Sequence, residues 1–170
     1  MSGQTRFADL SAAGLALAPL LAAALSDPAV LSDPEALSDP AALRGAEPIL
    51  LGIEPDGLIV ALAVADRLRY SALPLPVLRS YDGVQIAAPA DLVGRFVVLI
   101  DAGVETGTTA RAAAEALRGA RVGRLILAVP VCPREVEATL VRTFDQVVAV
   151  VRPLVRRDLR WHYEAWPDRV

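Results

Sequence analysis

Apolar and polar positions along this chain alternate in two rhythms, and the places where the rhythm changes predict its elements. Residues 8–25 carry Leu10, Leu15, Leu17, Leu20, Leu21 and Leu25, which form broad apolar faces and predict a helix. Short apolar runs follow at 48–53, 75–80, 84–88, 96–101, 123–131 and 146–152, and each is read as a strand. Between them the spacing predicts helices from Leu58 to about Arg69, over 108–117 and near 134–142. Glu54-Pro55-Asp56-Gly57 and Tyr81-Asp82-Gly83 are turn signals, because proline presets φ and glycine admits positive φ. Strands alternating with helices imply an α/β fold, an open, mainly parallel, twisted sheet flanked by helices. With 170 residues and no interior stretch of linker composition, one domain over 1–170 is expected.

Two segments stand outside this alternation. Leu-Ser-Asp-Pro occurs at 25–28, 31–34 and 37–40, a period far shorter than that of a helical solenoid. Ser or Asp before Pro is a helix-start signal, so 26–46 reads as an insertion of short helical turns or an extended connector, without chemistry. The second segment is the tail, 153–170, where Trp161-His162-Tyr163-Glu164-Ala165-Trp166 is the one aromatic cluster. It could stack a base, cover the sheet edge or join two subunits as a homodimer, with packing as the default.

Composition narrows the chemistry. The chain is 54% hydrophobic but only 5% aromatic, so its core should be Ala, Val and Leu. All 17 basic residues are arginine, which removes lysine Schiff-base chemistry. A net charge of −3 offers no general attraction to nucleic acid or to an anionic membrane. Cys132 stands alone and reads as a small buried hydrophobe, and the lone His162 rules out a multi-histidine metal site. Ala12 to Leu25 resembles a signal-peptide core, yet Arg6 is offset by Asp9 and the run is too short to span a bilayer. A buried first helix in a cytoplasmic protein is the expectation.

The candidate chemistry lies between Val97 and Thr109, V-V-L-I-D-A-G-V-E-T-G-T-T, ahead of an alanine-rich helix. A strand ending in an acid, then a Gly/Thr turn, then a helix puts free backbone N–H groups at the carboxyl end of a parallel strand. Phosphorylated ligands bind there, drawn by those donors and by the positive end of the helix dipole. Gly103 and Gly107 let the backbone approach a ligand, and the hydroxyls of Thr106, Thr108 and Thr109 add donors. Asp101 can accept from a sugar diol or hold a hydrated magnesium ion (Mg²⁺). The pattern is neither a Walker loop, which needs its Lys, nor a G-x-G-x-x-G dinucleotide fingerprint.

The segment from Val98 to Thr109 resembles the ribose-5-phosphate loop of the type I phosphoribosyltransferases: a hydrophobic strand, two acids, a few variable positions, then T-G-x-T. Asp91-Leu92-Val93-Gly94-Arg95 is similar to the usual lead-in, and Ile49 to Leu68 to the family's first strand, pyrophosphate loop and helix. Phe7 to Leu17 is similar to the N-terminal helix of a group of bacterial phosphoribosyltransferases known from sequence. The resemblance implies a Mg²⁺-dependent reaction of phosphoribosyl pyrophosphate with a nitrogen acceptor, commonly a nucleobase, through an oxocarbenium-like transition state with pyrophosphate leaving. By position, Thr106, Gly107, Thr108 and Thr109 would bind the 5-phosphate, and Asp101 the ribose hydroxyls and the metal. Glu105 would shuttle a proton near the base, while Glu54, Pro55, Asp56 and Gly57, with Arg79 as a cationic clamp, would bind pyrophosphate.

Two departures bear on activity. Ala102 stands where the family keeps its second acid, a loss worth about 1.5–3 kcal/mol of charged hydrogen bonding. Restoring the acid with Ala102→Asp is therefore expected to tighten ligand binding. Glu54 and Asp56 also place negative charge where a pyrophosphate should sit, unless Mg²⁺ or Arg79 meets it. A regulator that senses phosphoribosyl pyrophosphate or a nucleotide without turnover, or a subunit kept for assembly, are the alternatives. Bland roles stand beside the sharp ones: Glu105 could simply favour the helix dipole, and Arg79 could pair with Asp82 on the surface.

Overall fold

In the computed structural model, which describes residues 6–27 and 47–168, the strand-helix alternation builds a five-stranded parallel sheet. The strands are β1 (Ile49–Ile53), β2 (Ala72–Leu75), β5 (Phe96–Ile100), β6 (Arg124–Val131) and β7 (Gln146–Val151), in the order β2-β1-β5-β6-β7. Parallel neighbours need long crossovers, supplied by α2 (Asp56–Leu68), α3 (Thr108–Gly119) and α4 (Arg134–Leu140). The first helix, α1 (Leu10–Leu25), precedes the sheet and packs on α2. The expected open α/β sheet flanked by helices is present, and every pairing within it is parallel.

The strands have apolar residues on both faces because both faces are covered. Val97, Leu99, Leu125, Leu127 and Val129 point to a layer with Ala110, Ala113, Ala114 and Leu117 of α3 and Val136 and Leu140 of α4. Val98, Ile100, Ile126 and Ala128 point the other way, toward Leu17 and Leu21 of α1 and Val60 and Val64 of α2. Small residues set the spacing of that second layer. A Cβ on Gly14 would stand 2.6 Å from the Val60 carbonyl oxygen, so α1 meets α2 almost backbone to backbone. Asp9 caps α1, its Oδ1 accepting from Ala12 N–H at 2.8 Å. Seven residues of α1 are buried, as expected of a core helix, and no described helix is long and apolar enough to cross a membrane.

The structure redraws one predicted strand. Residues 75–80 divide at Pro76 into β2, which joins the main sheet, and β3 (Val77–Ser80), which pairs antiparallel with β4 (Gly83–Ile86). Proline has no N–H to donate to a ladder, so the chain leaves one sheet there and starts another. The Tyr81-Asp82-Gly83 turn closes this hairpin, with Gly83 at φ 123°. Helix α2 also starts earlier than Leu58, at Asp56, directly after a cis Glu54–Pro55 bond. The Leu-Ser-Asp-Pro repeat beyond Asp27 lies outside the described residues.

Candidate functional site

The chain moves from β1 to β2 in one direction along the sheet and from β5 to β6 and β7 in the other. That reversal leaves a crevice at the carboxyl ends of β1 and β5, where open α/β sheets bind ligands. A cleft of about 570 Å³ occupies the place. The β1–α2 turn forms one side, the β5–α3 loop its floor and centre, Val77 and Arg79 of the hairpin a rim, and the C-terminal tail the remaining wall.

The β5–α3 loop is shaped by two glycines in backbone regions that side chains avoid, Gly103 at φ 152° and Gly107 at φ 79°. Val104 N–H bonds the Val131 carbonyl at 2.8 Å and ties the loop to the end of β6. Gly107 is the N-cap of α3 and offers no side-chain cap, so the first-turn amides keep their capacity for a ligand. One is partly engaged: Thr108 N–H lies 3.4 Å from Thr106 Oγ1, and the two hydroxyls are 3.0 Å apart. Arg111 folds back from the next turn, Nη2 donating to the Thr106 carbonyl at 2.6 Å, and brings a positive charge to the cradle. Thr106, Gly107, Thr108 and Thr109 all line the cleft, so the expected phosphate cradle is gathered in one place.

Asp101 sits at the base of this loop, its Oδ1 accepting from Ala102 N–H at 2.7 Å. Burial raises its pKa to about 7; the Ala102 hydrogen bond opposes the rise, Asp56 adds to it and Arg79 counters it. Those influences place Asp56 and Arg79 electrically beside Asp101 although they lie far apart in sequence. Arg79 Nη2 donates to Thr109 Oγ1 at 3.3 Å and so reaches across to the phosphate turn. Among the described residues the ion pairs are Arg118–Asp145 and Arg152–Glu137, and Arg79 belongs to neither.

Glu54, Pro55 and Asp56 line the same cleft as the threonine turn. Gly57 does not. It is buried behind the cleft, where a Cβ would stand 2.7 Å from Asp101 Cα, so its role is to let α2 press against the Asp101 backbone. No group of three or more His, Cys, Asp or Glu among the described residues could cage a metal. The acids that face the cleft are nevertheless hard oxygen donors of the kind Mg²⁺ takes one or two of, with phosphate oxygens and water completing its shell.

Two expectations change in the folded chain. Ala102 is 1% exposed and packs in the apolar layer of α1 and α2, although it also lines the cleft. An aspartate there would bury an unpaired charge, and Ala102→Asp is expected to damage the fold rather than tighten binding. Glu105 lines the cleft, but its Oε1 accepts from Leu159 N–H at 2.8 Å, so one oxygen is committed to holding the tail.

The tail is the part of the site that sequence patterns left unassigned. Tyr163, buried, donates its hydroxyl to the Ala102 carbonyl at 2.5 Å. Phe7 bridges Tyr163 as a one-residue parallel pair, with Phe7 N–H on the His162 carbonyl and Glu164 N–H on the Phe7 carbonyl. Packing, the default for the aromatic cluster, accounts for Tyr163 and His162. Trp166 and Arg160 instead line the cleft with Leu159 and Asp158. A basic run beside tryptophans, Arg156 to Trp161, was the available signal. Cys132 is buried, and burial pushes its thiol pKa up to about 12, in keeping with a packing role.

The architecture is the type I phosphoribosyltransferase fold, shared with solved structures of that class. Over 62 residues the chain is 37% identical to proteins of two Mycobacterium tuberculosis strains named "Putative phosphoribosyl transferase", a match spanning 36% of this chain and 14% of theirs. The crystal structure of TT1426 from Thermus thermophilus superposes with a TM-score of 0.70 at 22% identity, over 94% of this chain and 90% of that one. A hypoxanthine-guanine phosphoribosyltransferase of Bacillus anthracis superposes at 0.52 with 10% identity, over 94% and 77%. No family model matches the chain.

Proposed function

We infer that this chain binds phosphoribosyl pyrophosphate with Mg²⁺ and transfers the phosphoribosyl group to a nucleobase or similar nitrogen acceptor, releasing pyrophosphate. The observation that carries the reading is one cleft holding the uncapped Thr106–Thr109 helix start, Asp101 and Arg79 together. The 5-phosphate would take the first-turn amides and threonine hydroxyls of α3, with Arg111 adding charge behind the turn. Asp101 would accept from the ribose hydroxyls and, with Asp56, face the metal. Mg²⁺, when bound, would neutralise the pyrophosphate and relieve the charge of Glu54 and Asp56. Arg79 would clamp the pyrophosphate from the hairpin side. Catalysis would come from holding the reactants in line and stabilising charge as the glycosidic bond to pyrophosphate breaks.

A second reading, a sensor that binds the same ligand without turnover, is favoured by Glu105. With one carboxylate oxygen on Leu159 N–H, it is restricted as a proton shuttle. Calorimetry with phosphoribosyl pyrophosphate and Mg²⁺ tests the shared premise, with micromolar-range binding expected and no heat refuting both readings. Pyrophosphate release across a panel of bases then separates them: release supports the transferase, and tight binding without release supports the sensor.

A further inference from the structure

The cleft offers three separate handles for anions, and the 5-phosphate and the pyrophosphate of phosphoribosyl pyrophosphate account for two of them. The Thr106–Thr109 turn lies in the centre, and Arg79 stands on the side of the β3–β4 hairpin. Arg160 lies on the tail, whose Leu159 packs onto Gly103 of the β5–α3 loop. We propose that Arg160 receives an anionic group on the acceptor, and that the acceptor is a planar heteroaromatic ring bearing a carboxylate. This rests on the transferase reading above and names the substrate class of that same site.

The surroundings of Arg160 suit that role. Its guanidinium lies 6.0 Å from the centre of the Trp166 ring, a shelf that restrains a long side chain while leaving its N–H fork unspent. Asp158, which also lines the cleft, has one oxygen committed to the backbone, its Oδ1 accepting from the Arg160 N–H at 2.8 Å. Arg160 belongs to neither ion pair found among the described residues. The backbone beneath is anchored to the floor of the cleft by Glu105 on Leu159 N–H and Tyr163 on the Ala102 carbonyl. A planar fork in the same cleft as the phosphate turn matches a carboxylate, which accepts two parallel hydrogen bonds. Trp166, which also lines the cleft, supplies an apolar face for the ring that carries it.

The test uses the full chain saturated with ribose 5-phosphate and Mg²⁺, a pair that cannot turn over because no pyrophosphate is present to leave. Calorimetry then compares orotate with uracil and nicotinate with nicotinamide, matched rings with and without a carboxylate. The wild-type protein is expected to bind one or both carboxylates about tenfold or more tighter than the neutral partner, the value of a charged hydrogen bond. Arg160 is exposed, so Arg160→Gln leaves the fold intact; it should erase the preference and leave ribose 5-phosphate affinity unchanged. No carboxylate preference in either pair, or no binding of any probe, overturns the proposal. Equal weakening of ribose 5-phosphate and carboxylate in Arg160→Gln also overturns it, since the arginine would then serve the phosphate. If the wild type ignores ribose 5-phosphate yet keeps an Arg160-dependent carboxylate preference, the transferase reading fails while the anion site stands.

Discussion

Two strand-to-helix connections face each other across the cleft, and they meet the same topological demand with opposite chemistry. After β1 the chain turns within Glu54 and Pro55, and α2 begins at Asp56; Pro55 supplies no side-chain cap. After β5 the chain takes the longer course from Asp101 to Gly107 before α3 begins. The short turn brings carboxylates to the cleft and hides its glycine, Gly57, against the Asp101 backbone. The long loop brings hydroxyls and uncapped amides, and its Gly107 lies at the cleft itself. A helix start attracts anions only if its donors are left open and no carboxylate stands over them. The second connection leaves its helix start without a side-chain cap, whereas the first sets the carboxylates of Glu54 and Asp56 beside its own.

Substitutions on either side of the cleft probe that contrast. The largest effect is expected for Ala102→Asp, which buries a carboxylate among apolar side chains and should cost about 3–5 kcal/mol, read as a lowered denaturant midpoint. A folded variant with tighter ligand binding would show instead that Ala102 faces the site. Gly57→Ala should follow at about 1–3 kcal/mol, because its Cβ meets backbone atoms of Asp101 that cannot swing away. Gly107→Ala meets the flexible end of Arg111, so its cost is dominated by the positive φ, about 1–2 kcal/mol. Equal melting temperatures for the two glycine variants would erase the distinction between a packing turn and a binding turn.

Asp101→Asn gives a signature in pH. An acid with a folded pKa of about 7 and an unfolded pKa of about 3.9 holds its proton longer in the native state. The wild type therefore loses stability as pH rises between those values, and stays at the lower level above them. Asn is free of that loss, so the ligand-free variant should gain about 1–2 kcal/mol over wild type from pH 4 to pH 8, discounted for partial solvation. Parallel stability curves would remove burial as the cause. The smallest effect is expected for Thr106→Val, which loses one hydroxyl and should weaken ribose 5-phosphate binding about fivefold. Unaltered affinity would take Thr106 out of the cradle.

Legibility in the sequence followed the range of the interactions. The strand, acid, glycines and threonines of the β5–α3 loop were legible, since they follow one another within a few residues. Arg79 was legible only as a candidate, because the hairpin that carries it into the cleft depends on Pro76 ending one sheet and starting another. Ala102 was legible as the place of a missing acid, while its burial came only with the folded chain. The tail was least legible. Arg160 and Trp166 reach the cleft through the Phe7–Tyr163 bridge and the Tyr163–Ala102 hydrogen bond, contacts between residues far apart along the chain.

By itself the order of residues determined the alternation of strands and helices and the open helix start at Thr108. Apolar period, turn residues and capping act between neighbours and need no tertiary frame. Only the folded chain decided which charges share the cleft and which are spent on structure. Strand order and tail docking bring distant groups together, and burial then sets their protonation and their freedom to meet a ligand.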